Sequence, residues 1–315
     1  MTTPDTTEVT EAQLIREFSG LRQHSQRGQR APHKPLLLLT ALANVQQSGP
    51  RLLVFNKTLI EKMTALLDEF GRPLAPGGQQ TVRDPFWRLE GDGHFWEVPQ
   101  RQAILAQRAA GRRDKDINKG ELVTAEATGG FRADVNAFLS AHPEVVHRLA
   151  TLLLDAHFPA SLHESILDAV GMAWTYVPVA TRRVRDPGFR TEILRIYESR
   201  CCACGYDGRL GRASVGIEAA HIRWHSADGP DHPTNGLALC ALHHKAFDVG
   251  AFGVTEGGVI SVSQHYVESM VLGGQGLASL HGRSLPMPIS GPADRAAGVF
   301  TAWHRAEVFR GPGRF

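Results

Sequence analysis

Two short cysteine–histidine knuckles constrain this chain more than any other feature. All four cysteines of the 315 residues fall between positions 201 and 240. Cys201 and Cys204 form a Cys-x-x-Cys pair, and Cys240 and His243 form a Cys-x-x-His pair. Together they make a tetrahedral Cys3His set of the kind that holds a structural Zn2+ and folds a module with little core of its own. A lone Cys-x-x-Cys would leave a redox pair as an equal alternative; the second knuckle favours the metal. Cys202 is the spare thiol. As a ligand it would stand only one residue from Cys204, so Cys201 is preferred. No cysteine remains for a disulfide framework, and free thiols agree with a reducing cytoplasm.

Between and beside these ligands lie His221, Asn235 and His244. Each has a plain structural explanation. Asn235-Gly236 could be a turn, and His244 beside His243 could be an alternative zinc ligand. Their grouping fits phosphodiester hydrolysis better. That reaction needs an imidazole to take a proton from water, a divalent cation to stabilise phosphate charge, and an amide able to orient the imidazole. Val215–Ile222 alternates and is rich in β-formers, so it reads as a strand ending near His221. A helix is expected to start at His243 and run to Phe247.

The stretch from about Arg190 to Phe252 resembles the HNH endonuclease superfamily, in its zinc-knuckle subgroup, with the strand–loop–strand–helix order of the ββα-metal fold. The resemblance implies His221 as general base, Asn235 as the residue orienting it, and His244 as ligand of a catalytic Mg2+ or Mn2+. Many such enzymes carry an Asp or His immediately before the base. Here Ala220 stands there, so Glu218 and Asp248 are candidates to complete the metal shell.

The composition bears on where DNA could bind. The net charge is only +2 with 21% charged residues, so a nucleic-acid surface has to be local. Arg101, Arg108, Arg112, Arg113, Lys115 and Lys119 form one basic run, and Arg182, Arg183, Arg185, Arg190, Arg195 and Arg200 another. Solvated faces explain such runs equally well in isolation; beside a nuclease module, phosphate contact is favoured. No signal peptide or membrane span is apparent, since the apolar run Leu36–Leu39 is far too short. The chain is long enough for two domains.

Along the N-terminal half, Met1–Thr10 is polar and expected to fray. Helices are expected at Glu11–Phe18, Leu36–Val45 with Pro35 in its first turn, Lys57–Phe70, Val135–Leu139, Pro143–His157 and Leu162–Val170. Gln23–Arg30 and Gly71–Gly78 read as loops. Asp84–Leu89 is expected to enter a hairpin through Gly91-Asp92-Gly93 and return along Phe95–Val98. Thr175–Pro187, rich in Arg, Val and Pro, reads as a linker.

Three segments of this half carry a second resemblance: Ala31-Pro32-His33-Lys34-Pro35 with the leucines that follow, Pro85-Phe86-Trp87-Arg88-Leu89, and Gly93-His94-Phe95-Trp96-Glu97. They resemble the sulfur-binding domain of phosphorothioation-dependent (type IV) restriction endonucleases, which couple it to a C-terminal HNH nuclease. The expected fold is therefore α+β: a largely helical DNA-reading domain with a small hairpin over residues 1–170, a linker at 171–188, and a ββα-metal domain with its Cys3His knuckle at 189–315. The resemblance implies double-stranded, phosphorothioate-modified DNA as the partner. His33, Lys34, Pro85, Trp87, Arg88, Arg112 and Arg113 are the candidate DNA contacts, with Phe86 a core residue and a helix cap an alternative role for His33. Sulfur in place of a phosphate oxygen is larger and less hydrated, so apolar and aromatic walls desolvate it at less cost. Two other functions fit the same chain: an HNH nuclease for methylated or specific unmodified DNA, and a catalytically inert zinc-containing DNA-binding regulator. Cutting both strands makes a homodimer attractive.

Overall fold

In the computed structural model, the leucine run of the N-terminal half lies in a helix buried on every side. The structure describes residues 9–22, 25–26, 29–30, 32–71, 81–107, 117–173, 187–269 and 276–314. They belong to two units, one of Met1–His157 with His163–Val179 and the other of Phe158–Leu162 with Ala180–Phe315. Among the described residues, no helix is long and apolar enough to cross a membrane.

The first unit runs α1 (Glu11–Ser19), β1 (Ser25–Gln26), β2 (Gln29–Arg30), α2 (His33–Gln46), β3 (Leu52–Val54), α3 (Lys57–Phe70), α4 (Arg83–Arg88), β4 (Trp96–Glu97), α5 (Arg101–Ala106), α6 (Lys119–Thr124), β5 (Thr128–Phe131), α7 (Ala133–Ala141), α8 (Pro143–His157) and α9 (His163–Val170). Leu36, Leu37, Leu38, Leu39 and Leu42 of α2 are all fully buried. A helix apolar all round belongs in the middle of a packed unit, and α2 touches α3, α4, α7, α8 and α9. Each such leucine contributes about 1.5–3 kcal/mol. Asn56 caps α3 by accepting from Leu59 N at 3.0 Å, which fixes the start expected at Lys57.

The expected hairpin does not form. Pro85–Leu89 is not a strand: Arg83–Arg88 is helical and continues into a 3-10 turn at Leu89–Gly91. Phe86 and Leu89 repeat at helical rather than alternating spacing, and proline is tolerated in a helix's first turn. The returning segment, β4, pairs instead with β5, giving a three-stranded antiparallel sheet in the order β3-β5-β4. Central β5 reads Thr-Gly-Gly-Phe, a poor strand sequence. Its glycines are needed because a Cβ at Gly130 would run into the Arg51 carbonyl, and one at Gly129 into the Phe86 ring. Within Gln23–Arg30, expected to be a loop, Ser25–Gln26 and Gln29–Arg30 pair as a short ladder. Residues 1–8 of the expected frayed end, 72–78 of the Gly71–Gly78 loop and 175–186 of the linker lie outside the described residues.

The second unit runs α10 (Pro187–Ile196), β6 (Arg209–Leu210), β7 (Ala213–Ser214), β8 (Ile217–His221), β9 (Gly236–Cys240), α11 (Ala241–Asp248), β10 (Phe252–Val254), β11 (Ile260–Val262) and α12 (Gly298–Glu307). β8 and β9 pair antiparallel, with Ile217 opposite Cys240 and His221 opposite Gly236. α10 and α11 pack on this ladder. Phe189, Ile193, Ile217, Ala220, Leu237, Leu239, Phe247 and Phe252 join one apolar core. The β10–β11 hairpin and α12 add to that unit beyond the stretch where the sequence carried a motif.

Candidate functional site

The β8–β9 ladder holds both candidate sites of the second unit. Cys240 ends β9 at one end and His221 ends β8 at the other, four register positions apart, or about 13 Å at strand rise. At the Cys240 end, donor atoms of Cys201, Cys204, Cys240 and His243 all lie within 4.8 Å of one another. His243 Nδ1 is 3.1 Å from Cys240 Sγ and 3.7 Å from Cys201 Sγ. Cys202 N donates to Ala238 O at 2.8 Å, tying the first knuckle to β9. Hydrogen bonding from Cys240, then from His243, pulls the Cys201 thiol down to about 3, against the effect of burial. Cys240 is pushed up, first by that same contact and then by burial. Three soft sulfurs crowded around one imidazole are a donor set that fits a tetrahedral metal. Cys202 is buried with its thiol pushed up by desolvation, and stands outside the cluster.

At the other end, the His221 imidazole is held on two sides. Its Nε2 lies 2.7 Å from Asp231 Oδ1, and its ring stacks on Phe189 of α10 with centroids 4.2 Å apart at 16°. His225 meets it edge-on at 5.8 Å. Asn235 is fully buried, but its amide does not go to the imidazole. It donates to the carbonyls of Arg223 and Pro230 at 3.0 Å each and accepts from Arg223 N at 2.9 Å. The loop from Ile222 to Pro230 is wound around this amide. A Cβ at Gly229 would strike the Arg223 carbonyl, and a Cβ at Gly236 would strike Ile193 and Phe189. The Asn235-Gly236 pair is thus no hairpin turn but a buried anchor followed by a close helix contact.

His244 sits on α11 one residue after His243, about 100° further round the helix, and so faces other partners. Its Nδ1 is 2.6 Å from Glu218 Oε2 and its Nε2 3.2 Å from Asp248 Oδ2. Trp224 Nε1 also donates to Asp248, at 3.2 Å. Burial works to lower the His244 pKa, yet the charges and hydrogen bonds of Asp248 and Glu218 outweigh it and raise it to about 9. Glu218 is held below the usual carboxylate range, chiefly by its hydrogen bond from His244. The two carboxylates lie at opposite ring nitrogens, so one cation could take His244 with only one of them. Among the described residues, the Cys3His cluster is the only group of three or more such side chains whose donor atoms converge.

The candidate DNA contacts of the first unit are dispersed in burial. Arg88 is exposed, with Asp84 at 3.3 Å. His33 is half-buried as the first residue of α2, whose N-cap is Pro32 and lacks a side-chain cap bond. Lys34 is an internal ion-pair partner: its Nζ reaches Asp92 Oδ2 at 2.5 Å and the Arg22 carbonyl at 2.6 Å. Pro85 is buried and Trp87 is 1% exposed, with Arg101 stacked over the indole at 4.3 Å. Both are packed inward as they stand, with α4's apolar face against the core. Arg112 and Arg113 lie outside the described residues, as do Arg108, Lys115, Arg182, Arg183 and Arg185. Arg195 pairs with Glu192, and Arg200 with Asp207.

Asp231, Phe189 and Trp224 escaped the sequence reading. Asp231 lies in a polar loop among histidine, glycine and proline, where nothing periodic marks it, and Phe189 reads as an ordinary core residue of α10.

Residues 11–175 match the family described as ScoMcrA-like, DNA sulfur-binding domain, and residues 201–255 match HNH endonuclease. Among solved structures, the sulfur-binding domain of ScoMcrA complexed with phosphorothioated DNA is 24% identical, at a TM-score of 0.41, over 50% of this chain and 94% of that one. The type IV phosphorothioation-dependent restriction endonuclease ScoMcrA is 25% identical, at 0.40, over 50% of this chain but only 32% of its own. The modification-dependent TagI restriction endonuclease is 22% identical, at 0.31, over 44% of this chain and 41% of that one. No curated protein matches the chain. The sulfur-binding match spans just over half of the sequence, and the chain belongs to the ScoMcrA-like DNA sulfur-binding domain family, with an HNH endonuclease domain following on its C-terminal side.

Proposed function

We propose that this protein is a modification-dependent restriction endonuclease that reads phosphorothioate-modified DNA through residues 1–170 and hydrolyses phosphodiester bonds nearby through residues 189–315. The observation that carries it is the succession on one chain of a sulfur-binding match and an HNH match whose own His, Asn and His are intact. His221 acts as general base, close to a partner that can hold its orientation. Asn235 serves the base by pinning the loop that follows it rather than by touching the ring. Glu218 and Asp248 sit at opposite ring nitrogens of His244, so a catalytic Mg2+ or Mn2+ would take one of those nitrogens with the carboxylate beside it, with water and substrate phosphate completing its shell. Such a cation, when bound, supplies charge stabilisation to the phosphate and the leaving oxygen. Cys201, Cys204, Cys240 and His243 hold Zn2+. Arg88 and His33, with Arg112 and Arg113, are the DNA contacts retained for the reading unit. Two strands to cut favour a homodimer.

The test compares matched duplexes bearing a phosphorothioate, a methylated base or neither, with and without Mn2+. Cleavage should require the metal and the sulfur. His221→Ala should abolish cutting while keeping the binding preference. Equal binding and cutting of all three duplexes would leave a site-specific or methyl-directed nuclease. Binding without cutting of any of them would leave an inert regulator.

A further inference from the structure

We propose that Asp231 is a positioning residue for His221, fixing which ring nitrogen acts as the base; this rests on the nuclease reading of His221 given above. An ionised carboxylate can only accept a hydrogen bond. At 2.7 Å from Asp231 Oδ1, Nε2 of the neutral ring therefore carries the hydrogen, and the lone pair belongs to Nδ1. The contact is sheltered, with the His221 side chain 12% exposed and that of Asp231 20%, so bulk water screens it incompletely.

Three features make the contact a built one. Phe189 stacks on the ring and sets its plane. Ile222 N donates to Asn235 O at 2.9 Å, fixing the backbone just after His221. The Asn235 amide grips Pro230 O at 3.0 Å, fixing the backbone just before Asp231. One buried residue thus sets the positions of both partners, ten residues apart, through its backbone on the His221 side and its amide on the Asp231 side.

The arrangement favours the chemical step. Water gives its proton to Nδ1, and its oxygen forms the new bond to phosphorus. The leaving oxygen departs with the electrons of its own phosphorus–oxygen bond and takes a proton from solvent. As His221 becomes imidazolium, its Nε2–H bond to Asp231 becomes charge-assisted. The gain appears with the charge, so it stabilises the transition state more than the ground state. The titratable side chains in contact with the ring include Asp231 and His225.

The test uses the full chain with Asp231→Asn and Asp231→Glu. Imidazole nitrogen shifts of His221 in the unaltered protein should report the Nε2–H tautomer. In Asp231→Asn the His221 pKa should fall, and the limb of the pH–rate profile reporting the base should move down with it. Single-turnover cleavage should drop about 100-fold or more, as for loss of a tautomer-fixing carboxylate elsewhere, with DNA affinity changed less than about threefold. Asp231→Glu should recover part of the rate. An Nδ1–H tautomer in the unaltered protein would overturn the proposal even if Asp231→Asn failed to fold. So would a folded Asp231→Asn that cuts within about threefold of normal with an unmoved pH profile. Failure of the unaltered protein to cut any duplex would instead sink the nuclease reading, while the tautomer measurement would still decide the Asp231 contact.

Discussion

Asn235 and His221 are joined through backbone, not through side chains: Ile222 N donates to Asn235 O at 2.9 Å, while the Asn235 amide is consumed by Arg223 and Pro230. The asparagine of the His–Asn–His set is a structural anchor.

Asn235→Ala should therefore lose both stability and rate. Removing a buried amide that makes three hydrogen bonds strands two carbonyls and an N–H, costing about 2–4 kcal/mol. Cleavage should fall at least about tenfold, because the loop from Arg223 to Pro230 that carries Asp231 toward the base loses its anchor, while the backbone bond beside His221 remains. Denaturant unfolding and single-turnover cutting check this together. A rate loss with unchanged stability would mean the amide acts on the reaction directly.

Metal in the knuckle should hold up the second unit. Cys240→Ser should lower zinc content, and chelation should lower the melting temperature of that unit, since the binding free energy of a structural zinc is folding free energy. Cys202→Ser should leave zinc content unchanged. Elemental analysis of the purified proteins separates the two cysteines.

His304 predicts an acid-side loss of stability. Burial lowers its pKa to about 4, against the opposing Phe247 carbonyl contact and the Asp248 charge. A histidine depressed on folding contributes stability that is fully present above its unfolded value of about 6.5 and lost as pH falls through about 4. The contribution amounts to about 3 kcal/mol. Denaturation of the native protein and of His304→Gln at pH 7 and pH 4 should show a smaller pH-dependent loss in the variant. The comparison also removes the effect of acid on the knuckle, which both proteins share.

Lys34 and Asp92 make a nearly buried pair, with side chains 13% and 4% exposed. Lys34→Met should strand the carboxylate and cost about 3–5 kcal/mol of stability in the first unit, without altering the salt dependence of DNA binding. A slope in log Kd against log salt reduced by about one would place Lys34 on a phosphate after all. Pro85→Asp belongs with it as a folding variant, because it would bury a carboxylate in the core. Arg88→Ala is the cleaner probe of DNA contact.

How far the sequence could be read follows from what each signal is made of. Ligand spacing within a knuckle is local, so Cys201, Cys204, Cys240 and His243 were legible and do converge. Helical periodicity is also local, which is why the α3 boundaries at Lys57 and Phe70 were recoverable. Pairing between distant strands is not local: nothing in Thr128–Phe131 announces that it joins Leu52–Val54 to Trp96–Glu97. Burial is equally collective, so the sequence could not show that Pro85 and Trp87 pack inward or that Lys34 pairs with Asp92. Asp231 needed the loop's path, which Asn235 and Gly229 dictate together.

The strand order β3-β5-β4 also carries a consequence for biosynthesis. The central strand is made last, at residues 128–131, after both of its neighbours. A nascent chain shorter than this carries two strands that have no shared partner, and their unpaired edges must wait on the ribosome or its chaperones. The sheet of the first unit can be completed only after Thr-Gly-Gly-Phe has been made.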